Sequence, residues 1–172
     1  MGDRSIISLD AMSGDLGAEV AVRAAATSLD RYSNLELILV GDEEELGGLV
    51  TRIIGDDKRL RIAPATEVVT MSDSPRDAVR HKKDSSMRVA IDLAKSGEAQ
   101  ACVSAGNTGA LMATAKFVLK MLPGIERPAI LAELPAIGGS LHMLDLGANT
   151  LGTAEQLFQF AVMGSIVTAD IK

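Results

Sequence analysis

Ala101-Cys102-Val103-Ser104-Ala105-Gly106-Asn107-Thr108-Gly109 is the stretch on which the fold turns. Four strand-forming residues run into a polar, glycine-bearing loop, and an apolar-rich helix follows from Thr108 onward. That is the grammar of a βα unit. The same order recurs upstream: Ile6-Ile7-Ser8-Leu9 is a first strand, Met12 to Gly17 a turn, and Ala18 to about Leu29 a helix. Leu35 to Val40 reads as a second strand, and Asp42-Glu43-Glu44-Glu45 opens a helix whose dipole favours anions at that end. Short strands alternating with helices predict a three-layer α/β/α fold around a mainly parallel sheet. Residues 1–172 are expected to form a single α/β domain.

Farther along, the signals vary in clarity. Between Arg61 and Met71, both Ile62 and the Glu67–Met71 run could be short strands. Ser74-Pro75-Arg76-Asp77 gives a cap, a proline at the first helical position and a carboxylate three residues after the cap. Met87, Ala90, Ile91 and Ala94 then share a helical face, which Gly97 ends. Ala101–Ser104 is expected as a buried strand, with Cys102 an inert thiol inside it. Leu111, Met112, Ala115, Val118, Leu119 and Leu122 stand at core spacing on the helix that Pro123-Gly124 should stop. Two more strands are predicted near Ala129–Leu134 and Leu141–Leu146, then Gly147-Ala148-Asn149-Thr150 and a last helix.

Composition narrows the function. Aromatic residues make up 2% of the chain and its net charge is −6, which together argue against a nucleic-acid binder. A single cysteine and two histidines supply neither a disulfide framework nor a zinc site, so no metal is expected and a reducing, cytoplasmic setting is. The acidic start of the chain predicts no signal peptide. Ile6 stands where a myristoylation motif needs Ser or Thr. Gln156 to Ala169 falls short of a membrane span. Pro128 to Lys172 carries only Glu133, Asp145, Glu155, Asp170 and Lys172 as charges, which predicts a surface built to be covered by protein.

Three predicted strands end in glycine-bearing loops, after Leu9, Ser104 and Leu146. In open parallel sheets such loops gather at the carboxyl edge, where ligands bind. Glycine lets an anion approach backbone N–H groups there. Asp10 and Asp145 each stand at a strand end, where a carboxylate can serve function or cap the next helix. Neither G-x-G-x-x-G nor a Walker A sequence is present, so no nucleotide cofactor is expected. A basic island, Arg76, Arg80, Lys82, Lys83 and Arg88 against Asp77 and Asp84, is either a solvated helix face or an anion site. In the second reading Ser85 and Ser86 cap the following helix with donors to spare.

DAMSGD (Asp10–Asp15), RHKKDSSM (Arg80–Met87), SAGNTGALM (Ser104–Met112), GIERPAI (Gly124–Ile130) and LDLGAN (Leu144–Asn149) together resemble the bacterial phosphate acyltransferase family, PlsX. The likeness runs the whole length of the chain, which has roughly half the family's usual length and so reads as its N-terminal part. The resemblance implies an enzyme that makes acyl phosphate from acyl–acyl-carrier-protein and inorganic phosphate for phospholipid synthesis, without a cofactor. It implies a fold related to phosphotransacetylases and isopropylmalate dehydrogenases, a homodimer, and a cytoplasmic location with peripheral membrane contact.

On that basis Arg80, Lys82 and Lys83 are expected to bind phosphate, with Ser85, Ser86, Ser104, Thr108 and the N–H groups of Gly106–Gly109. Asn107 is the candidate oxyanion or phosphate donor. Asp10, Asp145 and Asn149 would orient these groups, either aspartate being a candidate proton acceptor. The basic residues at 76–88 could instead dock an acidic carrier protein. The alternative from another class is a non-catalytic half-domain that binds anion or carrier. A nicotinamide-linked dehydrogenase on a related fold lacks its fingerprint.

Overall fold

The computed structural model describes residues 4–147, 149 and 151–170, in two compact units, Met1–Leu119 and Lys120–Lys172. The readings placed on Gly2, Ala148, Thr150 and Lys172 lie outside the described residues.

The first unit is built on β1 (Ser5–Asp10), β2 (Leu35–Gly41), β3 (Leu60–Pro64) and β4 (Ala101–Ser104), all parallel in the order β3-β2-β1-β4. Ser8 lies opposite Ile38 on one side and Cys102 on the other. β2 explains the layering. Its Leu37 and Leu39 join Val22, Ala25, Leu29 and Leu46 in one apolar cluster, while Ile38 and Val40 join Ala63 and Ala90 in another. Alternate side chains point to opposite faces of a strand, so a run apolar at every position needs cover on both. Helices α1 (Ala18–Arg31) and α2 (Glu43–Ile53) cover one face, and α4 (Ser86–Ser96) covers the other. Each fully buried Leu or Ile contributes about 1.5–3 kcal/mol.

Local chemistry sets the helix ends. The Asp42 carboxylate accepts from Glu45 N at 2.8 Å, and Ser74 accepts from Asp77 N at 3.1 Å at the start of α3 (Pro75–His81). Ser85 caps α4 by accepting from Arg88 N at 3.3 Å, and Gly97 ends it in the left-handed region at φ 82. α5 (Thr108–Leu119) follows β4.

Several elements differ from expectation. Glu67–Met71 is not a strand: Glu67 makes one isolated bridge to Ser85, and Val69 is buried as a plug. β4 is not buried but ends the sheet, so Val103 stays 49% exposed. The core stripe of α5 is Ala110, Thr114 and Val118 rather than its larger residues. Small side chains suit a helix packed close to its neighbours, and a Cβ on Gly109 would stand 3.2 Å from Pro75 Cγ at the start of α3. Leu119 and Leu122 are exposed, and the helix stops before Pro123 is reached.

The second unit contains β5 (Leu131–Ala136), β6 (Gly139–Leu144) and α6 (Ala154–Asp170). The two strands pair antiparallel, Leu131 opposite Leu144, through the tight turn Ile137-Gly138. They are therefore a hairpin and not members of the parallel sheet. α6 packs on β6, with Gly164 set where a Cβ would come within 3.1 Å of Leu144 Cδ1.

Candidate functional site

Asp10 is the hub of the first unit's carboxyl edge. It is the last residue of β1, and only 3% of it is exposed. Its Oδ1 accepts from Met12 N and Ser13 N, each at 3.3 Å, and its Oδ2 accepts from Ser104 Oγ at 2.6 Å. Ser104 Oγ in turn accepts from Gly106 N at 3.2 Å. One carboxylate thus shapes the loop after β1 and, through Ser104, the loop after β4. Parallel pairing of β1 with β4 brings this about, because Asp10 lies opposite Ser104 in the register. The two loops touch closely where residue 106 has no side chain: a Cβ on Gly106 would fall 2.5 Å from Ser13 Cβ and 3.0 Å from Ser13 O. Beside Asp10 opens a recess of about 410 Å³ lined by Gly14, Leu16, Val20, Val103 and Ala105 among others.

Asn107 caps α5 and does more. Its Oδ1 accepts from Ala110 N at 3.0 Å. Its amide donates to three carbonyls, Thr70 O at 3.3 Å, Met71 O at 3.2 Å and Asp73 O at 3.0 Å. Leu111 N is taken by Asn107 O. That is the first regular bond of the helix; of the N–H groups ahead of it, Ala110 N is met by the cap, and those of Thr108 and Gly109 have no partner among the described residues.

The basic island divides. Lys82 donates to Asp73 Oδ2 at 2.5 Å and to Val68 O at 2.7 Å, so its ammonium is committed to the segment before α3. Arg88 pairs with Asp92 at 2.9 Å and lies over the Phe117 ring. Arg80 and Lys83 are exposed and free of ion pairs among the described residues. Ser85 and Ser86 are buried, Ser85 as the α4 cap; the hydroxyls of Ser86 and Ser13 are buried without a partner among the described residues.

Asp73 carries the largest electrostatic shift here. The Lys82 ammonium bonded to it, then the Thr70 N–H, hold its carboxyl down to about 2. Burial pushes the Cys102 thiol up, as an inert thiol requires. Residue reading missed Asp73 and Thr70; the Thr70-x-x-Asp73 spacing of a side-chain-closed turn was the available signal.

Asp145 and Asn149 belong to the second unit. Asp145 Oδ2 accepts from Asn149 N and Asn149 Nδ2, both at 2.9 Å, and Asn149 Oδ1 accepts from Arg127 Nη1 at 3.3 Å. Both face a cavity of about 930 Å³ between β6 and α6 that includes His142, Phe160 and Thr168. The third glycine-bearing loop therefore follows a hairpin strand of the second unit, whereas the first two follow neighbouring strands of the parallel sheet. Among the described residues no cluster of His, Cys, Asp and Glu is arranged to hold a metal, and no helix is long and apolar enough to cross a membrane.

A four-stranded parallel sheet with helices on both faces, its polar loops meeting at the carboxyl edge, defines an α/β protein of the kind that binds small ligands at that edge. The family model described as "Fatty acid synthesis protein" matches residues 6–172, and the chain belongs to that family. It is 62% identical over 161 residues to a phosphate acyltransferase of Methylococcus capsulatus, covering 92% of this chain and 47% of that protein. The phosphate acyltransferase of Halorhodospira halophila is 55% identical over 167 residues, covering 96% and 49%. One from Legionella pneumophila is 52% identical with the same coverage. The chain spans about half the length of the curated relatives it matches.

Proposed function

We propose that this chain is the N-terminal part of a phosphate acyltransferase, contributing an α/β domain that helps convert acyl–acyl-carrier-protein and inorganic phosphate into acyl phosphate and free carrier protein. The product would feed phospholipid synthesis, and the enzyme would act as a cytoplasmic homodimer touching the membrane peripherally. Membership of a family whose relatives bear that name supports the reaction. The observation that carries the site is the Asp10–Ser104–Gly106 chain, which joins two glycine-bearing loops at one sheet edge.

The chemistry asks for electrostatics more than for a strong base. A phosphate oxygen attacks the thioester carbonyl carbon, the C–O bond forms, and the C–S bond breaks to release the carrier thiolate. A thiol with a pKa of about 8.5 leaves without prior protonation. The demand is to hold an anion beside a carbonyl and to stabilise the developing oxyanion, for which one well-aimed donor supplies about 2.7–4 kcal/mol. In this reading Thr108 and Gly109 offer backbone N–H groups, and Arg80 and Lys83 are the free cations that meet phosphate. Asp10 and Ser104 fix the loops, and Asp145 with Asn149 forms a second polar site.

The test is acyl phosphate formation by the full-length enzyme and by the 172-residue chain alone. Full-length enzyme should turn over, and Ser104→Ala should cut kcat/KM about tenfold or more. No product from the full-length enzyme would end the reading. Turnover by the short chain would end the alternative, a non-catalytic half that only binds anion or carrier.

A further inference from the structure

Residues 65–74 cross from β3 to α3 with no regular element beyond one isolated bridge at Glu67, yet their turn at 70–73 is tied by side chains from several directions. Asp73 Oδ2 accepts from Thr70 N at 2.6 Å, from Thr70 Oγ1 at 3.0 Å and from Lys82 Nζ at 2.5 Å. Asp73 N donates back to Thr70 O at 3.2 Å. Lys82 also holds Val68 O, one turn of chain earlier. Three carbonyls of this turn, Thr70 O, Met71 O and Asp73 O, then converge on a single donor, the Asn107 amide, which engages its two hydrogens on them. Three carbonyls can share the two hydrogens of one amide only while the turn keeps them gathered at one point. An unlocked turn would release Asn107, and with it the loop that ends in the N–H groups of Thr108 and Gly109, which have no partner among the described residues.

We infer that Asp73 is a positioning residue for the carboxyl-edge loop: with Lys82 it locks the 70–73 turn, and the turn holds Asn107 and the start of α5 in place. Lys82 and Asn107 thereby act through the turn and not as direct ligands of the anion. The effect on turnover rests on the acyltransferase reading above; the mechanical linkage does not. The two assignments for Lys82 predict opposite behaviour at Asp73. If Lys82 grips phosphate, removing the neighbouring negative charge frees it and leaves phosphate use intact or improved. If Lys82 locks the turn, removing that charge does the same damage as removing Lys82.

The test compares Asp73→Asn, Lys82→Met and the double variant of the full-length enzyme. The isosteric Asp73→Asn change keeps an acceptor for Thr70 N and protects against simple misfolding. Amide hydrogen exchange should accelerate at 69–74 and, in step, at 105–109 in all three variants. KM for inorganic phosphate should rise about tenfold in each single variant, the scale of one charge-assisted hydrogen bond, with KM for the acyl carrier substrate unchanged. The double variant should lie within about threefold of the singles, because the second change removes nothing further. A merely structural role would lower kcat through loss of folded enzyme and leave KM alone. Asp73→Asn with phosphate KM within about twofold of wild type, beside an impaired Lys82→Met, overturns the inference. Should the wild-type enzyme make no acyl phosphate, the functional reading fails by itself. Unchanged exchange at 105–109 in Asp73→Asn then overturns the inference, and accelerated exchange upholds it.

Discussion

Asp73 is held in its charged form by bonds that exist only in the folded chain, which makes it the residue whose ionisation reports the turn. Its folded value is about 2, against about 3.9 for an unperturbed aspartate. A carboxyl lowered on folding stabilises the fold above its unfolded pKa. That contribution is fully present above about pH 4 and is lost as the pH falls through about 2. An NMR titration of the Asp73 carboxyl should therefore show a midpoint near 2 that moves up toward the ordinary range in Lys82→Met. A midpoint already in the ordinary range would show that the ion pair does not form in solution. Asp10 differs in kind: its partners are two N–H groups and a hydroxyl, with no cation among them.

At the scale of elements, caps with explicit chemistry decide where helices begin. Ser85 is the clearest case, since its hydroxyl accepts from Arg88 N and the residue itself is buried. Ser85→Ala should cost about 1 kcal/mol, read as a lower urea midpoint with an unchanged slope. A loss below about 0.3 kcal/mol would mean that neighbouring groups take over the cap. β1, β2, the start of α3 and the end of α4 are legible in the sequence because period, cap and glycine agree there. Residues 67–71 are not, since Val68 and Val69 look like a strand while the backbone around them is satisfied by Lys82, Asn107 and Asp84. The face of α5 misleads for a related reason: it is apolar nearly all round, and packing selects the small residues. Of the candidate site, Asp10 and Ser104 were visible as strand-end polar residues. Asp73 offers only the local Thr70-x-x-Asp73 spacing, since the link from its turn to Asn107 spans thirty-four residues and leaves no local pattern.

Across the whole molecule, positive charge is scarce, and what remains exposed near α3 stands out against a net charge of −6. Replacing Arg80 and Lys83 together by Ala should raise KM for phosphate about tenfold while KM for the acyl carrier stays put. The reverse pattern, with steep salt dependence, would assign the patch to docking of an acidic carrier instead. The second unit illustrates what periodicity cannot reveal. Its two strands read correctly as strands; the hairpin signal lay in the short Ile137-Gly138-Gly139 link between them and not in the strands themselves. The charge-poor stretch there leaves Leu151, Leu157, Phe158 and Ile166 exposed.

The clearance at Gly106 carries a lesson for anyone redesigning this edge. Even a methyl group at that position would have to push the neighbouring loop aside, because the obstacle is Ser13's own main chain as well as its side chain. Arg80 and Lys83 near α3 are exposed, so substitutions there disturb no packed neighbour. The crossing point of the two loops offers no such latitude, and a library that varies residue 106 would mostly be sampling broken scaffolds.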